Sequence, residues 1–406
     1  MLNIKDFLKK YKNVTNCNNK SFNENVQFSE ELLLQTADQY TRKDLRTLYP
    51  NDPWLCNWAI NTWEYATGQI ELDSYPLDLA MPITDVCNAK CKFCGYCDNS
   101  QGKFYDIDIL DRYEKPAKYL HRVGFCPRGE PLLHPRFHEF LSRVRQMTDK
   151  RCSVYVVTNG VLLEKYIYLL AEQSNSLSIS LNAATAETHS NVMEVDSKHF
   201  PNIIDSIKNL ISIRDKYKKD FLVQSTFVVN SMNLHEAADF VKLANDLGMN
   251  KIWFYNLLIA PYSSSQKNHL KKDYEKLASI NNPDFKKHYD NFLKALENSR
   301  IEITAEPSKW LEQPMLNDKN DTNQGKKPVR CRYVYSNMID LIPDNKQPLC
   351  CLLDKLPGFE FLEFPENVDF FEVWNSTQYK EIRKLLNNGN APLACRYCNR
   401  PEILKK

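Results

Sequence analysis

The sequence predicts an α/β protein built on an incomplete parallel (βα)6, TIM-like barrel, with an N-terminal helical cap and a small cysteine-bearing tail domain. Three observations lead there. Short runs rich in Val, Ile, Leu, Phe and Tyr recur at residues 77–83, 122–126, 153–158, 177–181, 222–229 and 251–257, with helical stretches such as 202–216 and 234–247 between them. Strands alternating with helices at that interval form βα units around a parallel sheet, and six units are too few to close an eight-unit barrel. Eight of the 13 cysteines fall into two groups, Cys87, Cys91, Cys94 and Cys97 early and Cys350, Cys351, Cys395 and Cys398 late. Finally, the polar stretch 309–327 reads as a loop and the best domain boundary. The expected division is a cap over 1–75, the barrel over 76–308 and the tail over 309–406.

The cap carries a helix start at Ser29-Glu30-Glu31, and Pro53 opens a second helix bearing Trp54, Trp58 and Trp63. Large aromatics at helical spacing read as core. After the sixth strand, a polar segment at 262–289, a helix to about 299 and a strand at 301–305 lead out of the repeat.

Charge nearly cancels, 53 Lys+Arg against 51 Asp+Glu, so nothing electrostatic favours nucleic acid or an anionic membrane as a partner. No run approaches the roughly 20 apolar residues of a membrane span. Residues 1–14 alternate Lys with apolar side chains, unlike a signal peptide, so the expected location is cytoplasmic. Thirteen clustered cysteines then argue for metal ligation before disulfides.

Cys87, Cys91 and Cys94 stand at CxxxCxxC spacing just past the first strand, at the sheet end where α/β chemistry gathers. Three thiolates on one loop can hold three irons of a [4Fe–4S] cube and leave the fourth open. Zinc prefers four closed ligands, usually as two CxxC pairs, and Cys97 would have to supply the fourth.

With Phe93 in the position of its aromatic residue, this stretch resembles the CxxxCxΦC signature of the radical S-adenosylmethionine (radical SAM) enzymes. The resemblance implies that the three cysteines hold a cluster whose open iron is chelated by S-adenosylmethionine. A single electron from an external reductant such as flavodoxin or ferredoxin then generates a 5′-deoxyadenosyl radical that abstracts hydrogen from substrate. A second match, Phe125-Cys126-Pro127-Arg128-Gly129-Glu130-Pro131-Leu132-Leu133-His134-Pro135, resembles the GGEP motif of that family, with Arg128 where a glycine is common. There Gly129 lets backbone approach a ligand, Glu130 can accept from an ammonium, and Pro131 stiffens the turn. Asn159, closing the third strand, and Ser180 and Asn182, closing the fourth, stand where the family places groups near the ribose or carboxylate of S-adenosylmethionine. Turn capping is the plain alternative for these three. Cys126 reads as a small buried thiol or, at its strand end, as a catalytic hydrogen-atom donor to a substrate radical.

In the tail, Cys331, Cys350, Cys395 and Cys398 can complete a four-thiolate site, with the runs around Pro343-Asp344-Asn345 folding as a hairpin that brings Cys331 to Cys350. Cys350 is preferred to Cys351 on its Gln347-Pro348-Leu349 context. This pattern resembles the twitch domain, the shortened form of the SPASM domain, and implies one auxiliary [4Fe–4S] cluster. Zinc remains the competing metal, because four thiolates alone do not select one.

The expected function is therefore oxidation or modification of a small molecule or peptide, the auxiliary cluster taking the electron left on the substrate radical. The alternatives are an epimerase using a thiol hydrogen donor and, in another class, a non-catalytic zinc-binding interaction protein.

Overall fold

The computed structural model describes residues 30–94, 102–126, 128–217, 220–257, 276–311, 329–339, 346–347, 349–350, 362–363, 369–392 and 403–405. Its centre is an open eight-stranded sheet. The strands are β1 (Asp78–Met81), β2 (Arg122–Phe125), β3 (Ser153–Thr158), β4 (Ser176–Ser180), β5 (Leu222–Val229), β6 (Lys251–Asn256), β7 (Glu302–Thr304) and, from the tail, β9 (Asn337–Ile339). Their order is β7-β6-β5-β4-β3-β2-β1-β9, and every neighbouring pair runs parallel. All six expected strands form. The strand expected to lead out of the repeat instead continues it: the helix Phe285–Glu297 serves as crossover, so β7 lies parallel beside β6.

Alternation along each strand divides the sheet into two faces. Val154, Val156, Leu177, Ile179, Val223, Phe227, Ile252 and Phe254 are buried against helix residues that include Phe140, Leu170, Ile203, Leu210 and Phe240. The opposite set lines the barrel lumen and is mostly polar or aromatic, with Tyr155, Ser178, Ser180, Gln224, Thr226, Trp253 and Tyr255 beside the aliphatic Val157 and Val228. A polar lumen beside an apolar outer layer is the pattern of a barrel that receives a ligand.

In the cap, the helix Pro53–Thr67 starts on Asp52, whose carboxylate accepts from Leu55 N, and stops at Gly68 in a left-handed conformation. Trp54 and Trp58 are core, as expected, and Trp63 is half-buried with its indole N–H donating to the Ala37 and Tyr40 carbonyls. Ser29 lies outside the described residues, while helix is present at 30–35. Trp54 stacks on His121 at 3.4 Å between centroids, and His121 Nε2 lies 3.3 Å from the Trp54 carbonyl oxygen. Enclosure pushes His121 down to about 3, and His189, fully buried with neither ring nitrogen partnered, down to about 4. An unfolded chain binds these two protons below the ordinary histidine value of about 6.5, whereas the folded chain refuses them. Stability should consequently fall, by about 3–5 kcal/mol per site, as pH drops from about 6.5 towards each lowered value. Denaturant midpoints measured across that range should flatten in His121→Phe and His189→Phe, and an unaltered slope would show that other groups carry the acid sensitivity.

The tail departs from expectation at one element. Residues 337–339 do not pair with 346–347 as a hairpin; they form β9 against β1, and β10 (Lys346–Gln347) pairs antiparallel with β11 (Leu362–Glu363). β1 would otherwise be a bare sheet edge, and β9 satisfies it, with Asn337 Nδ2 donating to Asp78 Oδ2 at 3.0 Å and Met338 buried. β8 (Val329–Cys331) pairs antiparallel with β12 (Ile403–Lys405). The helix Thr377–Asn387 locks tail to cap through Arg383, which is 0% exposed and donates to the carbonyls of Val334, Ile70 and Trp374 at 2.9, 3.2 and 3.0 Å. Among the described residues no helix is long and apolar enough to cross a membrane.

Candidate active site

The cysteine loop leaves β1 at the carboxyl end of the sheet. Cys87 is exposed, Cys91 and Cys94 are half-buried, and none of the three is in a disulfide. Phe93 beside them is half-buried. Two arms hold the loop. From the end of β3, Asn159 Nδ2 donates to Asn88 Oδ1 at 2.6 Å and lies 3.8 Å from Cys87 Sγ. From the end of β4, Asn182 Nδ2 donates to Met193 Sδ at 3.1 Å, and Met193 Sδ lies 3.4 Å from Cys91 Sγ. The carboxyl end of the helix Ala186–Met193 adds backbone bonds, with Lys90 N donating to the Met193 carbonyl and Lys92 N to that of Val192.

The turn after β2 closes on the same loop. Gly129 has φ +62°, and a Cβ there would stand 2.3 Å from Thr84 O and 2.8 Å from Val86 O, so only glycine permits this approach. Next in sequence, Glu130 N donates to Val86 O at 2.8 Å. Arg128, the departure from the expected glycine, is half-buried. Pro131 opens a short 3-10 turn.

Glu130 is 1% exposed, and its carboxylate accepts from Thr158 Oγ1 at 2.7 Å, Leu132 N at 3.1 Å and Asn159 N at 2.7 Å. Three of the roughly four acceptor positions of a carboxylate are thereby taken by protein donors. Burial pushes its pKa up, and these bonds restrain the rise to about 7. Asn159 has a double part, because its Oδ1 also accepts from Val161 N as a turn cap. Asn182, in the left-handed region at φ 56°, accepts from Val228 N at 2.8 Å, and Ser180 Oγ accepts from Thr226 Oγ1 at 3.2 Å.

Cys126 ends β2 half-buried, with Sγ 3.8 Å from the Tyr155 hydroxyl. That hydroxyl donates in turn to Asp78 Oδ1 at 3.4 Å. In the tail, Cys331 and Cys350 both pack against Tyr333, which also meets Ala80 on the lumen side of β1. Cys97, Cys351, Cys395 and Cys398 lie outside the described residues. Residues the sequence did not single out are Met193, Asn88, Thr158 and Tyr155. Of these only Tyr155 had an indirect signal, the glycine inside a neighbouring strand.

Among the described residues no three His, Cys, Asp or Glu side chains converge on a single ion. A cube presents separate irons to separate thiolates, so it does not require sulfurs that meet at one point. Three unbridged thiols on a loop clasped by the Gly129 turn are a donor set that fits such a cluster.

Residues 81–245 match the model of the radical SAM superfamily. A probable GTP 3′,8-cyclase of Saccharolobus islandicus is 29% identical over 184 residues, which are 44% of this chain and 56% of that protein. An AdoMet-dependent heme synthase of Methanosarcina barkeri is 29% identical over 184 residues, 44% of this chain and 50% of that protein. The chain thus spans about half the length of the curated relatives it matches. Among solved structures, SuiB of Streptococcus suis bound to its precursor peptide SuiA superposes with a TM-score of 0.56 at 15% identity, covering 87% of this chain and 80% of that one. The enzyme anSMEcpe with bound AdoMet gives 0.51 at 19%, covering 80% and 86%. At these identities the likeness is one of fold, and it extends past the barrel into the tail. The matched stretch carries the cysteine loop, the Gly129 turn and strands β2 to β5, so residues 81–245 form a radical SAM domain.

Proposed function

We propose that this protein oxidises or otherwise modifies its substrate by radical chemistry, with a second iron–sulfur cluster in the tail as electron acceptor. The radical SAM domain implies S-adenosylmethionine and one [4Fe–4S] cluster, which together would supply the radical that abstracts hydrogen from substrate. Cys87, Cys91 and Cys94 would hold that cluster, Phe93 would shield it, and Asn159 and Met193 would fix the loop. The turn from Gly129 through Glu130 to Pro131 would present backbone to the cofactor, and Ser180 and Asn182 would line its polar side. Cys331 and Cys350, joined by Cys395 and Cys398, would hold the auxiliary cluster.

The observation that carries this reading is the packing of Cys331 and Cys350 on Tyr333 against Ala80, which brings the tail thiols to the lumen wall. An acceptor there is one side chain away from the lumen in which the substrate radical forms. The substrate is a small molecule or a peptide. The fold shared with SuiB, solved with its precursor peptide, supports the peptide option. An external one-electron reductant of the flavodoxin or ferredoxin type would feed the first cluster, and eight described cysteines without a disulfide among them suit a reducing, cytoplasmic setting.

Anaerobic reconstitution tests the proposal. The wild type should bind iron and sulfide for two clusters and cleave S-adenosylmethionine with dithionite. Cys331→Ala should lose the iron and sulfide of one cluster while still forming 5′-deoxyadenosine. Zinc in the tail, with iron for one cluster only, would overturn the auxiliary assignment. A second reading, epimerisation with Cys126 returning the hydrogen atom, is favoured by the thiol's place at the end of β2 beside Tyr155.

A further inference from the structure

The face of β2 and β3 that lines the lumen carries an arrangement that neither substrate oxidation nor cofactor binding uses. Tyr155 lies flat across β2: a Cβ on Gly124 would fall 2.0 Å from its Cζ, so the ring occupies the place of a side chain. The Arg122 guanidinium stands 4.7 Å from the ring centroid. Cys126 Sγ donates towards the phenol oxygen at 3.8 Å, and the phenol donates to Asp78 Oδ1 at 3.4 Å. Asp78 is fixed in turn by Arg122 Nη1 at 3.3 Å and Asn337 Nδ2 at 3.0 Å. Burial holds the phenol protonated, its pKa well above the ordinary tyrosine value. The result is a one-way chain of donors from thiol to phenol to carboxylate, starting three residues before Gly129 at the mouth of the barrel.

We infer that Cys126 and Tyr155 form a radical-quenching pair that protects the protein when a carbon radical arises in the lumen without a substrate C–H bond to attack. The inference rests on the reading that S-adenosylmethionine is cleaved here. Sulfur–hydrogen and phenolic oxygen–hydrogen bonds are weaker than alkyl carbon–hydrogen bonds, so each transfer runs downhill or level. A carbon radical takes the hydrogen atom from Cys126, forming R–H and a Cys126 thiyl. The Tyr155 O–H swings from Asp78 Oδ1 towards the sulfur, and the thiyl takes its hydrogen atom across the 3.8 Å separation, restoring the thiol and leaving a tyrosyl radical. One electron from the external one-electron reductant and one proton from solvent return Tyr155 to the phenol. Asp78 is a positioning residue, since its hydrogen bond holds the phenol oxygen within reach of the Cys126 sulfur. Gly124 is a second, because it gives the ring its seat.

The test needs no substrate. Reconstituted holoprotein is mixed with S-adenosylmethionine and dithionite in D2O, where thiol and phenol hydrogens exchange and carbon-bound hydrogens do not. Deuterium should appear in 5′-deoxyadenosine, and samples frozen during turnover should give the paramagnetic resonance signal of a tyrosyl radical. Cys126→Ala should lose both. With Tyr155→Phe, deuterium should still reach 5′-deoxyadenosine from Cys126, but the tyrosyl signal should vanish. Gly124→Ala, which alters neither redox group, should reproduce the Tyr155→Phe result by displacing the ring. Formation of 5′-deoxyadenosine carrying only protium, or a tyrosyl signal that survives Tyr155→Phe, would overturn the pairing. No 5′-deoxyadenosine at all would instead remove the reading beneath it, and the pairing with it.

Discussion

Gly129→Ala should abolish cofactor loading. The added Cβ would stand 2.3 Å from Thr84 O and 2.8 Å from Val86 O, both backbone atoms of the loop that carries Cys87. Neither can rotate away as a flexible side chain would. The residue also sits at φ +62°, which costs a non-glycine residue about 1–3 kcal/mol before any clash is counted. Relief requires the turn to withdraw from the loop, breaking the Glu130 N to Val86 O bond at 2.8 Å and moving the carboxylate that gathers Thr158 and Asn159. The first cluster should therefore load poorly, and S-adenosylmethionine cleavage should fall by roughly 100-fold or more, as expected for losing about 3 kcal/mol of positioning. Iron content and 5′-deoxyadenosine yield measure this, and wild-type values in the variant would disprove it.

The second large effect concerns stability. Arg383→Met should destabilise the chain by about 3–5 kcal/mol, because it leaves two buried carbonyls and a third, part-buried one without this donor. These carbonyls belong to Val334, Ile70 and Trp374, so the arginine joins the segment before β9, the turn after the cap helix and the tail in one knot. Its guanidinium also lies 4.7 Å from the centroid of Trp374 and 5.3 Å from that of Tyr379. Methionine preserves much of the volume and removes the cost of burying the charge, so a loss of this size would report the carbonyls and the ring contacts. Chemical denaturation should show the midpoint shift. A shift below about 1 kcal/mol would mean that the knot holds without its centre.

The main architecture was legible because each strand is a short apolar run with its own periodicity. The cysteine loop could be picked out because its CxxxCxxC spacing is local. What stayed hidden depends on contacts between distant segments. Met193 meets Cys91 across 102 residues of sequence and has no local signature. β9 looked like half of a hairpin, since nothing near residue 338 reveals that β1 lacks a partner. Glu130 read as a group for a ligand ammonium, yet its nearest donors are Thr158 and Asn159, brought there only by the parallel register of β2 and β3. Tyr155 resembled any strand aromatic. The one signal that could have exposed it is Gly124, a glycine inside a strand in a chain with only 10.

The pairing of β9 with β1 has a consequence for dissecting the molecule. A fragment cut before residue 329 would retain the cysteine loop, the Gly129 turn and β1 to β7, and on paper would be a minimal barrel. It would also bare the hydrogen-bonding edge of β1 and leave Asp78 without Asn337. An uncovered parallel edge invites pairing with a second copy, so such a fragment should self-associate. The tail is thus a chaperone in cis for the barrel, and solubility would be lost with it before any question of chemistry arose.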